Sequence, residues 1–255
     1  MKLLSLARDL KRRKARERQR LFVAEGVRTV EALLDSTLTV RGALVARESR
    51  DDARTARLVQ RCEGRRIPVE FVNETEFASA ADTDAPQGVL ALATIPRTAP
   101  EGLPAAGTVL VLDAVQDPGN VGTIIRSAAA LGASVTIALP GTVDLWNAKV
   151  VRSAMGALFT HCVISLTWEE TVGWLDRRNI PLWVADTHGE PLQVAVRTRP
   201  ANVALVLANE GAGVSPRVAA AAARSVAIPM TAGSESLNVA VAAGILLYML
   251  ETGAP

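Results

Sequence analysis

The chain has 255 residues, 49% hydrophobic and 21% charged, which excludes a disordered segment and suits one large domain or two smaller ones. Aromatic residues make up only 4%, so the core must be aliphatic, which favours helices packed on buried strands. The net charge of +2 hides a local imbalance, because RDLKRRKARERQR (Arg8 to Arg20) sets eight cations against Asp9 and Glu17.

In chain order, that stretch reads as one basic helix, either a phosphate-binding segment or a solvated face. A short strand at Phe22–Ala24 follows, then a helix with Val27, Val30, Leu33 and Leu34 at helical spacing. GALVARE, IPVEFVN and QGVLALATI read as strands, separated by helices through Arg54–Cys62 and near Glu74–Ala80. Strands alternating with helices define an α/β arrangement for residues 1–95. The Pro-, Gly- and Ala-rich stretch 96–107 reads as a linker.

The second region, 108–255, opens with TVLVLDAV, an unbroken apolar run of the kind found in a strand buried on both faces. A helix over Val121–Leu131, the strand SVTIALP, a helix around Lys149–Ala157, the strand HCVISL and a helix near Glu169–Arg177 come next. PLWVAD, VALVLAN and SVAIPM read as strands, with a helix at Ala219–Ala223 and a last one from Leu237. This predicts a mostly parallel sheet, in which ligands bind at the carboxyl ends of the strands.

The N-terminal apolar stretch is too short for a secretory signal, and SLNVAVAAGILLYML falls short of a membrane span, so a cytoplasmic location is expected. Cys62 and Cys162 lack CxxC partners, and His161 and His188 lack ligand spacing; no disulfide or metal site is expected. Neither GxGxxG nor GxxxxGK[ST] occurs.

Three strand ends carry candidate chemistry. In LDAVQDPGNVGTIIRSAAALGA, Asn120 can cap a helix on which Gly122 and Arg126 share a face. In VALVLANEGAGVSP, glycines follow a strand and let the backbone approach a ligand, with Glu210 at the edge. In SVAIPMTAGSESLNVAVAAGILLYML, Gly233 supplies a turn, Ser234 or Ser236 can cap the last helix, and Ser236 and Asn238 must find polar partners.

Together these segments resemble the SpoU class of SPOUT methyltransferases, enzymes that methylate ribose 2'-hydroxyls of transfer and ribosomal RNA. The likeness covers Val109 to about Glu251 and rests on Asp117-Pro118, Asn120, Gly122 and Arg126; on Asn209-Glu210-Gly211 and Gly213; and on Ile228-Pro229-Met230 with Ser236-Leu237-Asn238. Ala208 departs from the pattern, where many members have Gly.

The resemblance implies a C-terminal trefoil knot that holds S-adenosylmethionine bent, with Ala208, Gly211, Ile228, Met230 and Leu237 around the donor. It implies catalytic roles for Arg126, Asn120, Glu210, Ser236 and Asn238, no metal, and a homodimer through the knotted domain. The N-terminal region is similar, more loosely, to a small domain with a ribosomal-protein-like fold that binds RNA substrates. That likeness makes Lys11, Arg12, Arg13, Lys14, Arg16 and Arg18 candidate RNA contacts and favours ribosomal over transfer RNA. Base methylation, a catalytically dead RNA-binding factor and a resistance enzyme acting on one drug-binding nucleotide remain alternatives.

Overall fold

A computed structural model describes residues 2–209, 211, 213–231 and 236–252. The chain forms two compact units, Met1–Arg97 with Trp146–Thr160, and Thr98–Leu145 with His161–Pro255.

The first unit is built on a four-stranded sheet in the order β1-β4-β2-β3, with β1 Leu21–Glu25, β2 Val40–Ala46, β3 Val69–Val72 and β4 Val89–Thr94. The β2–β3 pair is parallel and the β1–β4 and β2–β4 pairs are antiparallel. Helices α1 (Leu3–Asp9) and α5 (Glu74–Ala80) close over Leu44, Leu90 and Leu92. Helices α3 (Val27–Asp35) and α4 (Ala53–Gly64) lie outside that cluster and pack against the sheet strands. Capping sets two of the starts: Asp52 accepts from the N–H groups of Arg54 and Thr55, and Asn73 forms a capping box with Glu76.

The basic segment is not one helix. It breaks after α1 and resumes as α2 (Arg13–Gln19). The cause is Arg16, whose guanidinium is buried at 5% exposure and donates from Nη1 to the carbonyls of Leu10 (2.7 Å) and Lys11 (2.9 Å). These carbonyls sit at the open end of α1, where no intrahelical donor reaches them. Arg16→Ala should therefore cost about 1–3 kcal/mol, since two carbonyls lose a charged donor. Thermal melting would show it, and an unchanged melting temperature would contradict this role.

The second region also departs from the linear reading. Trp146–Thr160, with α7 (Ala148–Ser153), belongs to the first unit. Phe22 of β1, fully buried, holds Trp146 at 4.7 Å and Phe159 at 5.8 Å between ring centroids. Gly156, at φ +91°, permits this approach, because a Cβ there would stand 2.7 Å from the Ala32 Cβ.

The second unit has a six-stranded parallel sheet, ordered β10-β8-β9-β5-β6-β7. Its strands are β5 Thr108–Asp113, β6 Val135–Ala138, β7 Val163–Ser165, β8 Leu182–Pro191, β9 Val203–Ala208 and β10 Arg224–Ala227. β5 is buried at every position, as its unbroken apolar run requires. Its helices are α6 (Pro118–Ala130), α8 (Trp168–Asp176), α9 (Leu192–Ala195), α10 (Pro216–Ala221) and α11 (Val239–Thr252). No helix among the described residues is long and apolar enough to cross a membrane.

His161 serves this unit structurally. Its Nε2 lies 2.9 Å from the buried Thr136 hydroxyl, and burial holds the imidazole down from 6.5 to about 4. In that window the unfolded chain takes up a proton that the folded chain refuses, so stability falls as pH drops from 6.5 toward 4. The loss should approach about 3 kcal/mol at the acid end. Urea midpoints of the native chain and His161→Gln across this range should converge at low pH; parallel curves would contradict the assignment.

Candidate functional site

The β5 and β9 strands run side by side with Asp113 opposite Ala208, so their carboxyl ends open together. Asp113 is buried at 3% exposure, and its Oδ2 accepts from the Ser215 N–H at 3.0 Å. Asn209 ties the same two ends, donating from Nδ2 to the Ala114 carbonyl (3.1 Å) and accepting at Oδ1 from the Gly211 N–H (2.8 Å). Gly213, at φ +67°, then closes a bridge back onto Asn209. The left-handed backbone explains why glycine stands there.

Helix α6 starts three residues earlier than the sequence suggests. Asp117, not Asn120, is the cap; its side chain accepts from the Asn120 N–H at 2.8 Å, and Pro118 fills the first helical position. Proline suits that place because its missing N–H has no partner to lose. The Asn120 side chain is thereby released for another contact, and its Oδ1 accepts from Asn238 Nδ2 at 3.0 Å. Asn238 itself caps α11, accepting at Oδ1 from the N–H groups of Ala240 (2.9 Å) and Val241 (3.3 Å). That is the place expected of Ser236 or Ser234. Gly233, Ser234 and the catalytic candidate Glu210 lie outside the described residues.

A cavity of about 430 Å³ lies at these strand ends. Four of the five predicted donor contacts, Ala208, Ile228, Met230 and Leu237, line it, as does Ser236. Gly211 does not line it but is hydrogen-bonded to Asn209, which does. Arg126 sits exposed on α6, outside the lining and with no partner among the described residues. Val121, Ile124, Ile125 and Ala128, the inward stripe of that helix, are fully buried.

One wall escaped the sequence reading. Strand β8 pairs with β10 at Val184–Ser225 and again at Glu190–Val226, so residues 185–189 bulge out with nothing opposite. Ala185, Asp186 and Thr187 of this bulge line the cavity. Asp186 is the single carboxylate in the lining among the described residues, and its Oδ1 accepts from the His188 N–H at 2.8 Å. The Thr-His-Gly sequence after the apolar run was the only available signal.

Of the basic candidates in the first unit, Lys11, Arg12, Arg13, Lys14 and Arg18 are exposed. Arg12 and Arg18 pair with Asp9, and Arg13 pairs with Glu17. Arg16 differs, because its buried guanidinium is engaged by backbone carbonyls and is not presented at the surface.

Comparison with known proteins fits these features. A family model described as the SpoU rRNA Methylase family matches residues 107–248, and one described as an MRM3-like substrate binding domain matches residues 5–91. The chain belongs to the SpoU rRNA methylase family. It is 34% identical to the 23S rRNA (guanosine(2553)-2'-O)-methyltransferase RlmP of Bacillus subtilis, over 95% of this chain and 93% of that one. A crystal structure of an AdoMet-bound rRNA methyltransferase from Sinorhizobium meliloti is similar at TM-score 0.84 and 27% identity, covering 97% of this chain and 93% of that one. The SpoU methyltransferase AviRb from Streptomyces viridochromogenes, in complex with AdoMet, is similar at TM-score 0.86 and 26% identity, covering 99% and 98%.

Proposed function

We propose that this chain transfers a methyl group from S-adenosylmethionine to a ribose 2'-hydroxyl of ribosomal RNA. The observation that carries the reading is that the second and third loop segments line one cavity at parallel strand ends, with the first tied to the third by the Asn120–Asn238 contact. Its size, the apolar walls of Leu207, Val226, Ile228 and Leu246, and the carboxylate of Asp186 suit a folded nucleoside that carries a sulfonium cation. The donor supplies an electrophilic methyl group.

Everything else falls to the chain. A ribose hydroxyl is a weak nucleophile and must be held in line and relieved of its proton. Arg126 is the exposed cation on the helix that carries Asn120, so it can meet an RNA backbone from solvent. A guanidinium is a cation that only donates, so its first role is to orient the hydroxyl and offset the charge developing on oxygen. The proton passes to an RNA phosphate that Arg126 holds. Asn120, Ser236 and Asn238 fix this geometry from the α6 and α11 ends, and Glu210 supports the donor loops. Ala208, Gly211, Ile228, Met230 and Leu237 hold the donor, in a trefoil-knotted arrangement like that of the family. The pairing of two chains through this unit is supported by α11, which exposes Val241 (52%) and Tyr248 (58%), seven residues apart on one face.

Residues 1–95 select the RNA, residues 96–107 link, and residues 108–255, apart from Trp146–Thr160 of the first unit, carry the chemistry, all in the cytoplasm where ribosomes assemble. Lys11, Arg12, Arg13, Lys14 and Arg18 meet RNA phosphates; their surface ion pairs, worth about 0–1 kcal/mol each, are easily exchanged. Lys11→Glu with Lys14→Glu should leave the melting temperature in place while RNA affinity falls, most strongly at low salt. Unchanged affinity in filter binding would contradict this. For the reaction itself, methyl-labelled S-adenosylmethionine is incubated with the chain and total RNA. Label in ribosomal RNA supports the proposal; label confined to transfer RNA, or none, contradicts it.

A further inference from the structure

A second cavity, of about 440 Å³, lies wholly within the first unit and has no part in the chemistry above. We propose that it receives one unstacked nucleotide of the substrate RNA, separate from the nucleotide that is methylated. The inference rests on the reading of this chain as an RNA-modifying enzyme.

Charge is the first argument. Arg28, Arg54 and Arg152 line the cavity, against the single carboxylate, among the described residues, of Glu25. Arg54 is already matched by Glu31 at 2.5 Å. Arg28 is exposed and has no partner among the described residues. The Nη1 of Arg152 is shut off from solvent without a hydrogen bond, and its ion pair with Asp82 is long, at 3.7 Å. A buried guanidinium nitrogen left unbonded costs free energy that an arriving phosphate oxygen would recover.

Size and edge chemistry are the second. The space far exceeds a phosphate group and accommodates a base and sugar as well. Glu25 is 4% exposed; one oxygen accepts from the Asp82 N–H at 2.7 Å and the other from the Thr83 hydroxyl, so each keeps a lone pair. Gln87 accepts from the Val27 N–H through Oε1 at 3.1 Å, which leaves its amide NH₂ to donate. A fixed acceptor beside a fixed donor is what reads the edge of a base pulled out of its stack. At the rim stands Met155, 46% exposed and held at φ +50°, a conformation that non-glycine residues rarely adopt. Its soft thioether offers an apolar surface for the base.

The test measures binding of the full chain to a ribosomal RNA transcript across a salt series. Arg28→Ala, an exposed change, should weaken RNA binding about tenfold and flatten the slope of log affinity against log salt by about 0.7–0.9. Methyl-donor affinity should stay the same. Arg152→Ala should act in the same direction. Unchanged RNA affinity and slope in Arg28→Ala would overturn the proposal. So would tight binding of free nucleoside monophosphates by the native chain with RNA affinity untouched in the variant, which would assign the cavity to a small nucleotide. A native chain that binds RNA but transfers no methyl defeats the functional reading instead, and the binding comparison still decides the cavity.

Discussion

Arg126→Ala should lower methyl transfer by roughly 100- to 1,000-fold while donor binding survives. The two halves of this expectation come from one fact of placement. Arg126 is exposed on α6 and does not line the donor cavity, so its loss leaves the donor walls intact. It has no partner among the described residues, so truncation breaks no ion pair there and should barely change stability. What disappears is the cation that the proposed mechanism sets against the ribose oxygen. Arg126→Lys keeps the charge but not the planar fork, and should recover only part of the rate. Single-turnover kinetics with calorimetry of donor binding separate these effects. Near-normal turnover in Arg126→Ala would remove this residue from the mechanism.

Gly189→Ala should damage the donor site from a position that contributes no lining residue. A Cβ at Gly189 would stand 2.6 Å from Ser225 C and Val226 N, backbone atoms that cannot rotate aside. Strands β8 and β10 must then separate at the point where the bulge closes. The bulge carries Ala185, Asp186 and Thr187, and the displaced strand leads through Val226 to Ile228, all of them cavity walls. Overpacking of this kind costs about 1–3 kcal/mol, or a melting temperature lower by about 2–4 °C per kcal/mol for a chain of this size. Donor affinity should fall at least about tenfold, since the walls shift with the strands. Gly102→Ala, where an added Cβ meets nothing within 4 Å, is the control. Equal donor affinity in both variants would show that the bulge is not part of the donor site.

The contrast between what the chain discloses linearly and what it hides has a physical basis. The central strands β5 and β9 were legible because burial on both faces forces an unbroken aliphatic run, and their ends marked the place to look for a site. The three loop segments could be picked out from residue chemistry; the second and third line one cavity, and the first meets the third through Asn120 and Asn238. Capping was only half legible. Asp117 and Asn120 can both accept helix N–H groups, and the position of Pro118 decides between them; Asn238, directly before Val239, takes the cap of α11. The corner between α1 and α2 depends on a buried arginine, a residue type that composition assigns to the surface. The β8 bulge is a matter of register between strands distant in sequence, and no periodicity within β8 announces it. The transfer of Trp146–Thr160 to the first unit depends on aromatic contacts with Phe22, more than a hundred residues earlier.

The central claim is that the methyl group goes to a ribose 2'-oxygen, and alkali tests it directly. RNA labelled by the native chain with methyl-labelled donor is hydrolysed with base and separated by size. A 2'-O-methyl group blocks cleavage at its own linkage, so the account predicts label in an alkali-resistant dinucleotide. Label found only in mononucleotides would place the methyl on a base and contradict it.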